Sequence, residues 1–305
     1  MSVHNSRMLI GIQPTGWTND DFPEIGNEIP YQLILDQTQR TGYQGGSTGH
    51  NYPTHLPSLL HALESRKLQI ASTWFGTTFT TGVNFDIAIT AFKQQIDFLK
   101  SVNAKDVVVA ELANAVNQVR SKSVLTDRPI LNEPEWYLLT SSLNIAGKIA
   151  GESGMQLSYH PHVGTAVMTA DETDRLMAST NPDDVALCLD TAHLHYGGAT
   201  QGDLESLTTT HLKRIKHVHL KNTRKAVLPV AVSNKYSFYQ AIEAGIFTVP
   251  GDPAGDLNLD PILDCLQSVN YDRWLVVEAE QDPLHDDPLK CAETARAYIK
   301  SRIGY

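Results

Sequence analysis

Three observations in the sequence predict a (β/α)8 barrel, the TIM-barrel class of α/β folds. Strand-like and helix-like segments alternate to the end of the 305 residues, the strand-like ones number eight, and no two of them are joined by the short turn of an antiparallel hairpin. The strand candidates are residues 8–13, 43–46, 69–74, 106–111, 156–159, 186–190, 215–220 and 274–278. Most are short apolar runs, among them Asp-Val-Val-Val-Ala-Glu at 106–111 and Trp-Leu-Val-Val-Glu at 274–278, as a strand covered on both faces requires. Segments of helical period separate them at 29–40, 56–66, 87–102, 136–152, 170–179 and 260–268, and a last one at 288–303 follows the eighth strand.

A barrel of this class needs about 250 residues, and the surplus here sits in two long connections. One covers 112–132. The other covers 221–258 and holds a helix-like stretch at 233–243 and a Gly/Pro/Asp turn at 249–256. Both follow strands, so both border the face where barrel enzymes carry their chemistry and can serve as lids. An open, doubly wound sheet is the rival architecture. Against it, the first strand-to-helix turn, Gly11-Ile-Gln-Pro-Thr-Gly16, lacks a dinucleotide fingerprint, and no phosphate-cradling Gly-Lys-Ser/Thr sequence occurs. No Pro/Gly/Ser-rich linker divides the chain, which reads as one domain over residues 1–305.

Composition narrows the partners. With 41% hydrophobic and 19% charged residues the chain reads as an ordinary globular protein, and a formal charge of −10 without a basic stripe argues against nucleic acid. No apolar run approaches membrane-spanning length, and Met1 to Arg7 leads directly into the first strand without room for a signal peptide, so a cytoplasmic protein is expected. Cys188, Cys265 and Cys291 are odd in number and far apart, which excludes a disulfide framework.

The chemistry lies in how the later strands end. Cys188-Leu-Asp190, Arg214-Ile-Lys-His-Val-His219-Leu-Lys221 and Trp274-Leu-Val-Val-Glu278-Ala-Glu280 each pass from apolar residues to ionisable ones. Carboxylates and imidazoles at the mouth of a buried sheet are costly unless they bind something, and three such ends in succession point to one shared site. Side chains alternate along a strand, so His217, His219 and Lys221 share one face, as do Glu278 and Glu280. On the fifth strand Ser158, His160 and His162 share a face, with Pro161 ending the strand. Asp190, His219 and Glu278 are therefore the expected metal ligands. Mixed imidazole and carboxylate ligation suits Mn²⁺, Co²⁺, Fe²⁺ or Zn²⁺ more than Mg²⁺ or Ca²⁺. His160, His162, Lys221 and Glu280 are the candidate acids and bases, being near the metal without all being spent on it. Trp17 and Trp74, near the ends of the first and third strands, are candidate walls for an apolar substrate face, although tryptophan also fills barrels. His217 adds a candidate substrate contact.

The order Asp190-Thr-Ala-His193, His217-Val-His219-Leu-Lys221 and Val277-Glu278 resembles the xylose-isomerase-like barrel superfamily of sugar isomerases, epimerases and dehydratases, over nearly the whole chain. Five longer blocks, Gly11 to Asp21, Tyr159 to Thr165, His217 to Arg224, Gly245 to Asp252 and Val277 to Pro283, resemble the inosose dehydratase family of myo-inositol catabolism. The resemblance implies loss of water from scyllo-inosose, a small cyclic polyol ketone, to give a diketone, with a divalent metal such as Mn²⁺ or Co²⁺. It makes His193 a substrate-contacting imidazole, with a partner to a metal ligand as the plainer role, and it allows a homo-oligomer.

Two positions depart from the resemblance. His160 stands where most of the superfamily has a Glu ligand, so the fourth ligand is His160, water or Glu111 of the fourth strand. Ser47 stands where relatives often carry Glu at the end of the second strand, which bears on the hydroxyl groups that are held. An unphosphorylated substrate is expected, because the turn from Gly251 to Gly255 is interrupted by Pro253 and flanked by Asp252 and Asp256. The same residues are open to an epimerase or isomerase, which stops at proton transfer, and to a sugar- or metal-binding protein without turnover. Phosphodiester cleavage on a metal cluster is disfavoured by the acidic charge.

Overall fold

The structure is a computed structural model that describes residues 7–81 and 85–305. Residues 1–6, on which the reading of the N-terminus rests, lie outside the described residues.

The strands are β1 (Leu9–Ile12), β2 (Gly45–Gly46), β3 (Gln69–Ile70), β4 (Trp74–Thr77), β5 (Asp106–Glu111), β6 (Gln156–Tyr159), β7 (Val185–Asp190), β8 (Ile215–Leu220), β9 (Asn222–Thr223), β10 (Phe247–Thr248) and β11 (Trp274–Val277). The main sheet runs β3-β2-β1-β11-β8-β7-β6-β5-β4 with every pairing parallel. Its two ends, β3 and β4, are the halves of one chain segment. The sheet therefore closes on its own third strand and forms an eight-stranded barrel. Between its halves the Val108 N–H is shared by the Ser72 hydroxyl at 3.1 Å and the Thr73 carbonyl at 3.3 Å.

The helices are α1 (Tyr31–Arg40), α2 (Leu56–Glu64), α3 (Phe85–Ser101), α4 (Glu133–Glu152), α5 (Ala170–Ser179), α6 (Thr191–Tyr196), α7 (Gln201–Thr210), α8 (Leu228–Ser233), α9 (Phe238–Glu243), α10 (Asp260–Ser268) and α11 (Pro288–Ile303). The large core lies between the sheet and these helices. In α1, for example, Ile34, Leu35 and Thr38 are the buried face. The barrel interior holds a separate small cluster of Leu9, Ala71, Trp274 and Val276. Trp274 fits there because Gly11 leaves room: a Cβ at Gly11 would sit 3.3 Å from the indole and 3.1 Å from the Gly45 carbonyl. Beneath it, Asp106 accepts from Arg273 at 3.3 Å and lies 3.5 Å from His217, so the base of the barrel is charged and paired.

Three expectations are corrected. The helix expected at 233–243 forms only over its second half, α9, because Ser237 caps α9 through reciprocal bonds with Gln240, while α8 ends at Ser233. The connection that contains it also carries the antiparallel pair β9 and β10, outside the barrel. Helix α7 was not anticipated from its Thr-rich sequence of low helix propensity; the Thr200/Asp203 capping box and burial of Leu204, Leu207 and Thr208 hold it. Among the described residues no helix is long and apolar enough to cross a membrane.

Candidate metal centre

Strand β7 is buried throughout and ends on Asp190, which is also the cap of α6: its Oδ1 accepts from the N–H groups of Ala192 at 3.0 Å and His193 at 2.8 Å. That fixes the carboxylate and leaves Oδ2 facing the barrel mouth. His219 comes from β8, Glu278 follows β11, and His160 follows β6. His160 Nε2 lies 3.3 Å from Asp190 Oδ2, His219 Nδ1 lies 2.6 Å from Glu278 Oε2, and His219 Nδ1 lies 3.7 Å from Asp190 Oδ2. One ligand atom from each of these four residues falls within 4.8 Å of the others, and all four residues are buried.

These residues fit a cation on their own evidence. His219 Nδ1 is close to Glu278 yet makes no hydrogen bond of acceptable geometry, and His160 Nδ1 is also buried without a partner. Buried ring nitrogens are rarely left so, and a metal satisfies one of them on each ring. Burial pushes the His160 imidazole down to about 4 against the pull of Asp190, so its lone pair is free at neutral pH.

Lys221, fully buried, ties the carboxylates of the centre together. Its Nζ donates to Glu278 Oε1 at 2.9 Å and Glu280 Oε2 at 2.5 Å, lies 3.5 Å from Asp190 Oδ2, and sits 4.6 Å above the Phe247 ring. Burial alone would discharge it, but the three carboxylates raise its pKa above the ordinary lysine range. In return, Asp190 and Glu278 are held well below the usual carboxylate range: burial opposes this, and the Lys221 ammonium and nearby imidazoles outweigh it. Three carboxylates and one ammonium leave two negative charges, which a divalent cation balances.

A second group, His162, His193 and Glu280, adjoins the first. His193 Nε2 is 3.2 Å from Glu280 Oε1, and the His162 and His193 rings stack with centroids 3.7 Å apart. His162 donates from Nδ1 to the Val163 carbonyl at 2.8 Å, which leaves Nε2 as a proton acceptor. Burial and the neighbouring imidazoles hold it neutral, well below the ordinary histidine value.

The cavity above the centre is lined by His219, Glu278, His162 and Glu280 on one side and by Gln13, Thr15, Asn19, Asp20, Asp21, Ser47 and Thr48 on the other. Trp74 forms a further wall, with its ring edge-on to His160 at 5.3 Å and His162 at 5.5 Å. No Lys or Arg lies among the described lining residues. Gln13 joins the two halves: its Oε1 accepts from the Ser47 N–H at 2.9 Å and its Nε2 lies 3.3 Å from His219 Nε2.

Several candidates take places other than the one expected. Trp17 is buried away from the cavity, its indole N–H donating to Gln37 of α1. His217 lies one layer down, beside Asp106, and does not line the cavity. Glu111 is excluded as the fourth ligand, because its carboxylate is filled by four donors: the Thr77 hydroxyl at 2.6 Å, the Phe79 N–H at 3.0 Å, and the Thr80 N–H and hydroxyl at 3.2 and 2.9 Å. Sequence reasoning missed Gln13 and Asp21. Gln13 ends an apolar strand just as Asp190 does and was open to the same argument. Asp21 offered only its place in a loop after β1.

The fold and this ring of acids and imidazoles define the class: a family model described as the xylose isomerase-like TIM barrel matches residues 26–302. The chain is 40% identical over 299 residues to an inosose dehydratase of Geobacillus thermodenitrificans (strain NG80-2), covering 98% of each chain. It is 39% identical over 301 residues to an inosose dehydratase of Clostridium tetani, covering 99% of each. The chain belongs to the inosose dehydratase family of these barrels. Among solved structures, the IOLI protein with a binding zinc atom is similar with a TM-score of 0.69 at 18% identity, over 97% of this chain and 98% of that one. The probable 3-DHS dehydratase AsbF from Bacillus anthracis is similar with a TM-score of 0.68 at 15% identity, over 97% and 100%. At these identities the two structures speak for the fold.

Proposed function

We propose that the protein is an inosose dehydratase that removes water from scyllo-inosose in the cytoplasm, with a divalent metal held by Asp190, His219, Glu278 and His160. The observation that carries the reading is the convergence of four buried ligand atoms, within 4.8 Å of one another, at the foot of a polar cavity. The family adds the substrate: the curated relatives are named for it. A lining of four carboxylates without Lys or Arg suits an unphosphorylated polyol and repels a phosphate.

Elimination beside a ketone begins with loss of the proton on the adjacent carbon. A bound divalent cation, Mn²⁺ or Co²⁺ in this reading, supplies stabilisation of the negative charge that develops on the carbonyl oxygen. His162 is the base: its Nε2 is unprotonated and its ring is fixed by Val163 and His193. Lys221 is a positioning residue, since all its neighbours are carboxylates or the Phe247 ring and it does not reach the cavity. Glu280 orients His193 and is anchored by Lys221. Trp74 offers an apolar face to the ring carbons, and the hydroxyl and amide groups of Gln13, Ser47 and Thr48 complement a polyol edge.

The test is to incubate the metal-loaded protein with scyllo-inosose while following diketone absorbance and product mass. Loss of one water per turnover is expected. An unchanged mass with one carbon-bound hydrogen exchanged for deuterium would replace the dehydratase reading with an epimerase or isomerase.

A further inference from the structure

Departure of the hydroxyl as water needs a proton donor, and the lining of the cavity offers few. His219 and Glu278 belong to the metal centre. His162 is the base, and its Nδ1 proton is already donated to the Val163 carbonyl. Both oxygens of Glu280 are engaged, Oε1 with His193 and Oε2 with Lys221. Asp20 is about half exposed and is bonded through Oδ1 to the N–H and ring of His50, each at 3.0 Å.

Asp21 remains. Its Oδ1 takes two amide donors from the connection after β5, Asn117 Nδ2 at 3.2 Å and Gln118 Nε2 at 2.8 Å. Any proton the carboxyl carries is thereby placed on Oδ2, the oxygen with no partner among the described residues, on a residue that lines the cavity. The charged groups facing it are Asp20 beside it and Glu280 across the cavity, both acidic. Amide donors hold the carboxyl in one orientation, and like charges favour its neutral form.

We propose that Asp21 is the catalytic acid that protonates the departing hydroxyl. This rests on the dehydratase reading and extends it by one residue. His162 Nε2 takes the proton from the carbon beside the ketone, and the electron pair of that C–H bond becomes the second bond of a C=C. The C–O bond of the next carbon breaks with its pair going to oxygen, and Asp21 Oδ2 delivers its proton to that oxygen, so water leaves. Asp21 ends ionised and His162 protonated, and exchange with solvent restores both. Burial, aided by Glu280 and Asp20 against the pull of Gln118 and Asn117, raises the Asp21 carboxyl to about 6, which suits an acid that must give up its proton near neutrality.

The test compares wild type with Asp21→Asn, both metal-loaded, in three assays: water loss from scyllo-inosose, deuterium exchange at the carbon beside its ketone, and fluoride release from the analogue with fluorine in place of the departing hydroxyl. Fluoride leaves without prior protonation. Asp21→Asn should slow water loss by roughly 10²–10³-fold while keeping exchange and fluoride release within several-fold of wild type. An equal fall in all three would overturn the assignment in favour of a structural role. Unchanged water loss would overturn it outright. Failure of the wild type to dehydrate scyllo-inosose would instead remove the underlying reading, and this inference with it. Should Asp21→Asn not fold, Asp21→Ser carries the same comparison.

Discussion

Lys221 and Glu278 form a buried ion pair at 2.9 Å on adjacent strands of the barrel, and the other oxygen of Glu278 faces His219 at 2.6 Å. One carboxylate is thus shared between a fixed ammonium and the metal centre. The ammonium sets its orientation, and the charge left over by Asp190, Glu278 and Glu280 is what a divalent ion neutralises.

Lys221→Met should therefore act on stability and on metal together. Removing one partner of a buried charged group typically costs about 3–5 kcal/mol, and here three carboxylates lose their common counter-charge. The metal-free variant is expected to melt well below wild type, and added Mn²⁺ should raise its Tm by more than it raises that of wild type. Thermal melts with and without metal check this, and equal metal shifts in the two proteins would refute the charge balance.

His160→Gln separates two roles for this imidazole. The ring is beside Asp190 at 3.3 Å and does not line the cavity, so the ligand role is expected: metal content should fall and excess metal should restore activity. Elemental analysis decides. Full metal occupancy with a rate reduced roughly 10²–10⁴-fold would assign His160 to proton transfer instead.

Asp21 gives a pH dependence of definite sign. Burial pushes its carboxyl up to about 6 in the folded protein, against 3.8 for an ordinary aspartate, so between those values the folded state holds a proton that the unfolded chain has lost. The stability this brings is complete below about pH 4 and is lost as pH rises through 6. Asp21→Asn keeps a neutral side chain throughout. It should melt above wild type at pH 8, by about 1–2 kcal/mol, and match it at pH 4. Calorimetry at the two pH values tests the sign, and a variant less stable at pH 8 would contradict it. A less active but more stable variant is the usual mark of a residue kept for function.

Glu111→Gln is the structural control. Replacing one carboxylate oxygen by an amide sets a donor either against the Thr77 hydroxyl and Phe79 N–H or against the Thr80 N–H and hydroxyl, at a cost of about 1–3 kcal/mol. Metal content should stay at the wild-type level. Loss of metal in this variant would return Glu111 to the centre.

Local pattern alone carried much of this architecture. Eight strands and the ionisable ends of β7, β8 and the strand before Glu278 are legible because alternation along a strand is a property of the backbone, independent of what lies next to it. Asp190, His219 and Glu278 could be paired on paper for that reason. Which way a loop residue faces, and at what depth along the barrel a strand residue finds its partner, have no such period. Trp17 turned to α1, His217 to the base of the barrel and Glu111 to a neighbouring turn, each because a partner from elsewhere in the chain was there to meet it. Asp21 shows the limit most clearly: the amides that orient it stand 96 and 97 residues away, and only the closure of the barrel brings the two connections together. Periodicity set the strands and their chemistry, and tertiary contact decided which polar groups were spent on the fold and which were left facing the cavity.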